Sequence, residues 1–237
     1  MCKIIFEPAC LMVLSLACVA GIAIKYSTTI PNQESTISEG SVWTDGHQSG
    51  VNWADVATYY GKAWGKEGIQ TRANYSDATA VLKGVWNSSH GVSAKVFVTS
   101  GAPAEGSPCY PEVELRLHTG IASYSIKGYE VNFSVGGTSK AYAMIVRWNG
   151  ALGDFTVLKT ANGSSYGVKN GDAISATYSN GTITTYRNGV AILSAYDSTY
   201  GNYGSPGIGF NYVYGSSCPG GTGQNDTYGF SSIAATE

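Results

Sequence analysis

Charge is what this sequence has least of: 13% of its 237 residues are Asp, Glu, Lys or Arg, and 14 basic side chains face 16 acidic ones for a formal net charge of -2. Without a basic excess there is no electrostatic footprint for nucleic acid, and no block of like charge reads as a tail for a membrane surface. Histidine is scarcer still, at three. His47 and His90 fall in glycine-rich stretches and share no metal-ligand spacing with His118, so no zinc site is expected. Amphipathic patterns of period 3.6 are missing, which excludes a helical bundle and a doubly wound α/β fold. Cysteine numbers five, and Cys2, Cys10 and Cys18 crowd the N-terminus.

What the chain has in quantity is glycine (31) and tyrosine (17). With the abundant Ser, Thr and Asn, this is the profile of an all-β protein that faces the outside of a cell. Ala9 to Ile24 (ACLMVLSLACVAGIAI) is an apolar run flanked by Lys3 and Lys25, shorter than the about 20 residues a spanning helix requires. It reads as a signal peptide or an N-terminal membrane anchor over residues 1–24, and the expected location is secreted or cell-surface. Removal of such a leader leaves Cys109 and Cys218, an even pair in an oxidising compartment, and a disulfide between their two loops is expected. Residues 25–40 are polar and unpatterned, a linker or an edge segment, and one domain is expected over 41–237.

The remainder is a succession of short β-branched and aromatic runs, among them Glu112 to Thr119, Gly128 to Val135, Ala141 to Trp148, Thr182 to Asn188 and Gly207 to Tyr214. Asn180-Gly181 and Asn188-Gly189 bracket Thr182 to Arg187 and suit type I′ hairpin turns, predicting a three-stranded meander over residues 174–195. The stretch ITTYRNGVAILSAYDSTYGNYGSPGIGF, Ile183 to Phe210, resembles the closing hairpin of laminin-G-like and other concanavalin A-like lectin/glucanase domains. GYEVNFSV, YAMIVRWNG and DFTVLK before it, and YGFSSIAA after it, fall where that superfamily has strands. The resemblance spans roughly Val51 to Glu237 and implies a two-sheet antiparallel jelly-roll sandwich. It also implies that one sheet offers its outer face to a ligand, usually a glycan.

The chemistry-bearing row is EVELRLH. Strand alternation places Glu112, Glu114, Arg116 and His118 on one face and Val113, Leu115 and Leu117 on the other. On the next strand Glu130 and Asn132 take the polar face while Tyr129 points inward, and Ala143, Ile145 and Arg147 share a face of the strand after that. If these strands are neighbours, Glu112, Glu114, Arg116, His118, Glu130, Asn132 and Arg147 form a ligand-binding surface, since carboxylates and guanidinium groups make charge-assisted hydrogen bonds to hydroxyls. Aromatic residues, Trp43, Trp53, Trp64, Trp86 and Trp148 with tyrosines that include Tyr196, Tyr200, Tyr203, Tyr212 and Tyr214, supply rings on which sugar faces stack.

Two catalytic alternatives use the same face, through Glu112, Glu114, His118 and Tyr129. A glycosidase needs two carboxyls about 5 to 9.5 Å apart, which Glu112 and Glu114 allow, but the glucanases of this superfamily carry a third acid on the strand, whereas here Glu-x-Glu is followed by Arg116 and His118. A polysaccharide lyase would cast Arg116 as the neutraliser of a uronate and His118 or Tyr129 as the proton carrier, although only Glu114-Leu115-Arg116 matches the lyase strand. The balance leans to binding without catalysis. A structural surface or filament protein that self-associates is the remaining class, and an ion-pair network across strands is the plain structural explanation of the row. No cofactor is required. Asp45 and Asp226, near ends of the domain that such sandwiches bring together, are a possible calcium pair.

Overall fold

The computed structural model describes residues 23–47, 53–66, 77–106, 109–211 and 226–237. Over these the chain forms strands β1 (Ile24–Thr28), β2 (Trp43–Asp45), β3 (Val56–Thr58), β4 (Ala63–Gly65), β5 (Ala78–Leu82), β6 (His90–Val98), β7 (Glu112–Ala122) and β8 (Ser125–Ser134). There follow β9 (Tyr142–Gly150), β10 (Phe155–Asn162), β11 (Ala173–Ser179), β12 (Thr182–Arg187), β13 (Val190–Tyr196), β14 (Ser205–Asn211) and β15 (Tyr228–Thr236). Two antiparallel sheets result. One runs β13-β12-β11-β6-β15-β4-β3 with β1 added beside β15, and the other runs β10-β9-β8-β7-β14-β5-β2.

The alternation expected of β7 and β8 fixes how the sheets pack. Val113, Leu115, Leu117, Val131 and Phe133 point from one sheet, and Val92, Ala94, Val96, Ile174, Ile183 and Phe230 from the other, into one core. At about 25 cal/mol per Å² of apolar surface, this shared layer is the main favourable contribution to folding. The meander forms as anticipated, β11 on β12 and β12 on β13. Both of its turns place Asn and Gly at positive φ (Asn180 49°, Gly181 81°, Asn188 51°, Gly189 78°), the signature of type I′ geometry.

Residues 25–40 are an edge segment and no linker. β1 pairs with β15, Ile30 and Ile37 are buried in the core, and Glu34 bridges to Thr58. Among the described residues the first strand of the sandwich therefore starts at Ile24, ahead of the boundary expected at residue 41. The leader lies outside the described residues as far as residue 22. Cys109 is buried in the turn before β7, and its expected partner Cys218 lies outside the described residues.

One irregularity decides what faces where. Leu117 pairs with Tyr129 but Gly120 with Lys127, and Thr119 pairs with Ser205 but Arg116 with Gly207, so β7 carries one residue more than either neighbour. The bulge centres on His118, whose φ is +50°. Beyond it the alternation is inverted. Gly128 seats the bulge from the β8 side: at φ +138° it is confined to conformations glycine favours, and a Cβ there would lie 2.5 Å from His118 O and 2.6 Å from Thr119 Cα. Gly128→Ala should therefore lower the unfolding free energy by about 2 kcal/mol. Urea denaturation checks this, and an unchanged midpoint would mean that the bulge yields without cost.

Candidate functional site

The outer face of the seven-stranded sheet is built by three adjacent strands. On β7 it carries Glu112, Glu114 and Arg116, and on β8 Asn132 and Glu130, paired with Glu114 and Arg116 respectively. On β9 the residues opposite Asn132 and Glu130 are Met144 and Val146, so that strand turns Tyr142, Met144, Val146 and Trp148 to this face. β14 contributes Gly209 and Asn211 across from Glu114 and Glu112. The glycine is required: a Cβ at Gly209 would collide with Glu114 Oε2 and Arg116 Nη2.

Arg116 is fully buried and is the hub. Its Nη1 donates to Glu130 Oε2 at 2.5 Å, and its Nη2 donates to Asp77 Oδ1 at 3.0 Å and to Glu114 Oε2. The Trp53 ring covers the guanidinium at 5.2 Å, edge-on to Trp148 at 4.5 Å. Trp148 Nε1 in turn donates to Glu130 Oε2. Trp53, Ile126, Val146 and Trp148 form a second apolar cluster on this outer face, separate from the core. Glu112 stands beside the hub and accepts a hydrogen bond from the Tyr142 hydroxyl.

One guanidinium cannot balance this many buried carboxyls. Burial, against the pull of Arg116, leaves Asp77 and Glu114 well above the ordinary carboxylate range, with Glu130 and Glu112 adding to the rise. Glu112 is pushed up to about 7, chiefly by burial, with Tyr142 opposing and Glu130 reinforcing. Arg116 is itself opposed by burial, but Glu114, Glu130 and Asp77 hold its proton more firmly than usual. At neutral pH the cluster therefore retains protons and presents both O–H donors and acceptor oxygens.

A cavity of about 830 Å³ opens above this floor. Asp77, Glu112, Glu114, Glu130, Asn132 and Asn211 line its polar side, and Tyr110, Tyr142, Met144, Trp148, Leu152 and Phe155 its apolar wall. Phe155 is 47% exposed and leans on Trp148 with ring centroids 5.1 Å apart. Three acceptor atoms of the floor, Glu114 Oε1, Asn132 Oδ1 and Asn211 Oδ1, are buried without a hydrogen-bond partner. An unmet buried acceptor is costly, roughly 1–3 kcal/mol, so each of the three is disposed to accept from a donor that enters the cavity.

Five of the seven residues expected on this surface are brought together: Glu112, Glu114, Arg116, Glu130 and Asn132. Arg147 is not, because it pairs with Tyr129 and shares that residue's inner face. There its Nη1 donates to Asp197 Oδ2 at 2.6 Å and Thr199 Oγ1 at 3.0 Å. His118 is not, because the bulge turns it inward, where its ring lies 4.1 Å from His90 and 4.3 Å from Tyr178. Its backbone N–H donates to His90 Nε2 and its Nδ1–H to Tyr203 O, while burial and then His118 lower His90 to about 4. Tyr129 is also inside, donating to Asp197 Oδ1 at 2.7 Å. The three groups a lyase would use, Arg116, His118 and Tyr129, thus stand on opposite faces of the sheet.

Asp45 lies on β2 at the edge of the seven-stranded sheet, and Asp226 precedes the last strand, which sits in the other sheet between β6 and β4 with β1 beside it. Among the described residues the acids whose oxygens converge, within 4.8 Å of one another, are Asp77, Glu114 and Glu130, and the Arg116 guanidinium serves them. Tyr212 and Tyr214 lie outside the described residues, and Tyr200 and Tyr203 pack beside the His118 bulge rather than at the cavity. The sequence reading missed Asp77, Tyr142, Phe155 and Asn211. The apolar run Ala78 to Leu82 was the available signal for Asp77, since a buried strand there carries its preceding residue to the site.

No protein-family model matches the chain, and no curated protein matches it in sequence. Solved structures do match its shape. The LamAcat structure from Zobellia galactanivorans aligns over 90% of this chain and 97% of that one, with a TM-score of 0.55 at 11% identity. The endo-beta-1,3-glucanase from Pyrococcus furiosus covers 91% and 94% (TM-score 0.52, 10% identity), and the laminarinase from Rhodothermus marinus 91% and 97% (TM-score 0.51, 11% identity). At such identities the likeness establishes the fold alone, a two-sheet jelly-roll sandwich, while function rests on the site.

Proposed function

We propose that this chain is an extracellular or cell-surface carbohydrate-binding module that seats a polysaccharide segment in the cavity on the outer face of the seven-stranded sheet. The observation that carries this reading is a floor of unpartnered acceptors set against an exposed aromatic wall. Sugar rings present hydroxyl donors at their edges and apolar C–H faces, and the cavity offers a counterpart to each. LamA from Zobellia galactanivorans, one of the structures similar in fold, was solved in complex with laminaritriose and laminaritetraose. The leader-like segment before the sandwich supports export. Binding without cleavage is favoured because Arg116 engages Glu114 and Glu130, which share the face with Glu112.

Phe155→Ala tests the reading with little risk to the fold, since the ring is half exposed. Affinity for laminari-, cello- and chito-oligosaccharides, measured by calorimetry, should fall by about three- to tenfold for whichever the wild type binds, and the thermal midpoint should stay within about 2 °C. Unchanged affinity would remove the cavity from the binding surface.

Hydrolysis is the second reading, and Glu112 favours it: a carboxyl held up to about 7 on the cavity wall is suited to general-acid work. Release of new reducing ends by the wild type, abolished in Glu112→Gln, would install this reading in place of binding.

A further inference from the structure

We propose that the glycan taken by this face is cationic, a polymer of amino sugars with free ammonium groups, an inference that rests on the glycan-binding reading above. Five acidic side chains line the cavity, Asp77, Glu112, Glu114, Glu130 and Asp154, and among the described residues no Lys, Arg or His does. The nearest guanidinium, Arg116, is withdrawn from the cavity. It lies beneath Trp53 and is shared among three carboxyls.

Among the residues that line the cavity, the hydrogen-bonding deficit has the same sign. Glu114 Oε1 and Asn132 Oδ1, on residues 1% and 2% exposed, and Asn211 Oδ1 are all acceptors without a donor. An ammonium brings three N–H donors and no acceptor, together with the charge that lets the floor carboxyls ionise. A uronic acid brings further acceptors and negative charge into an acidic cavity, and is disfavoured on both counts. A neutral hydroxyl can meet the acceptors but brings no charge that would let the carboxyls ionise. The apolar wall of Met144, Leu152 and Phe155 meets the sugar ring rather than its substituents.

The test is calorimetry on the full chain at pH 6 and low salt with four tetrasaccharides: β-1,4-glucosamine, its N-acetylated form, cellotetraose and tetragalacturonate. The glucosamine tetramer should bind at least about tenfold more tightly than the acetylated and neutral tetramers, as one extra charge-assisted contact allows. The galacturonate should bind least. In the Glu112→Gln/Asp154→Asn variant, where shape is kept and two carboxyls able to pair with an ammonium are lost, that preference should shrink toward parity. Neutral or acidic sugars binding as tightly as the cationic one would sink the charge inference and leave the glycan reading intact. Tetralysine binding as tightly as the glucosamine tetramer would also sink it, by showing simple charge attraction. If none of the four tetrasaccharides nor laminaritetraose binds, it is the glycan reading itself that goes.

Discussion

Arg116→Ala should lower the unfolding free energy by about 3–5 kcal/mol at pH 7.5, the range found when one partner of a buried ion pair is removed. The residue is fully buried and holds three carboxyls that have little other compensation. Its loss leaves them in a space closed by Trp53 and Trp148, together with a void the size of a guanidinium stem. The pH dependence separates this cause from simple loss of packing. Without Arg116 the carboxyls avoid ionising by keeping protons, and that becomes harder as pH rises above the range in which the unfolded chain releases them. The variant's deficit should therefore narrow markedly between pH 7.5 and pH 5, measured by urea denaturation at both. A deficit equal at both pH values would assign the effect to the cavity alone, and a deficit under about 1 kcal/mol would show that the carboxyls never depended on the arginine. Glycan affinity measured on Arg116→Ala reports on folding first, so the exposed Phe155 is the better probe of binding.

How much of this was legible in the sequence follows from where period 2 is informative. β7 and β8 are clearly two-sided, so their polar and apolar rows could be assigned by alternation alone. β9 is apolar on both faces: Ala143 and Ile145 enter the core while Val146 and Trp148 join the outer cluster with Trp53. With no polarity contrast, nothing in the strand itself reveals that Arg147 belongs with the core-facing row. His118 failed for another reason. A bulge inverts alternation without changing composition, and its evidence, the backbone clearance supplied by Gly128 and Gly204, depends on a pairing that sequence does not display. The Asn-Gly turns were readable because their signal is local. Asp77 was not, since it reaches Arg116 across 39 positions of chain through the pairing of β5 with β14 and β14 with β7.

The counterpart of the arginine prediction is a substitution that should stabilise. Glu112 is held up to about 7 against an ordinary value of 4.5, with burial the main cause, so the folded protein binds this proton more tightly than the unfolded chain does. For an acid raised in this way, stability is unaffected below about pH 4.5, where both states are protonated. It falls as pH rises from 4.5 to 7, where only the unfolded chain ionises, and above 7 the cost is constant. That interval, at about 1.4 kcal/mol per pH unit, amounts to about 3 kcal/mol. Glu112→Gln removes the charge and keeps the shape: its amide oxygen continues to accept from the Tyr142 hydroxyl, and its amide N–H can donate to Asn211 Oδ1, which has no partner in the wild type. The variant should therefore match the wild type near pH 4.5 and exceed it by up to about 3 kcal/mol above pH 7. His90 works in the opposite direction, since its lowered value costs stability as pH falls from 6.5 toward 4, but it is common to both proteins and cancels in the difference. Denaturant titrations of the pair at pH 4.5, 6 and 8 give that difference directly. A Gln variant no more stable than the wild type at pH 8 would mean that Glu112 is ionised at no cost in the folded protein, and would remove it as a general acid as well.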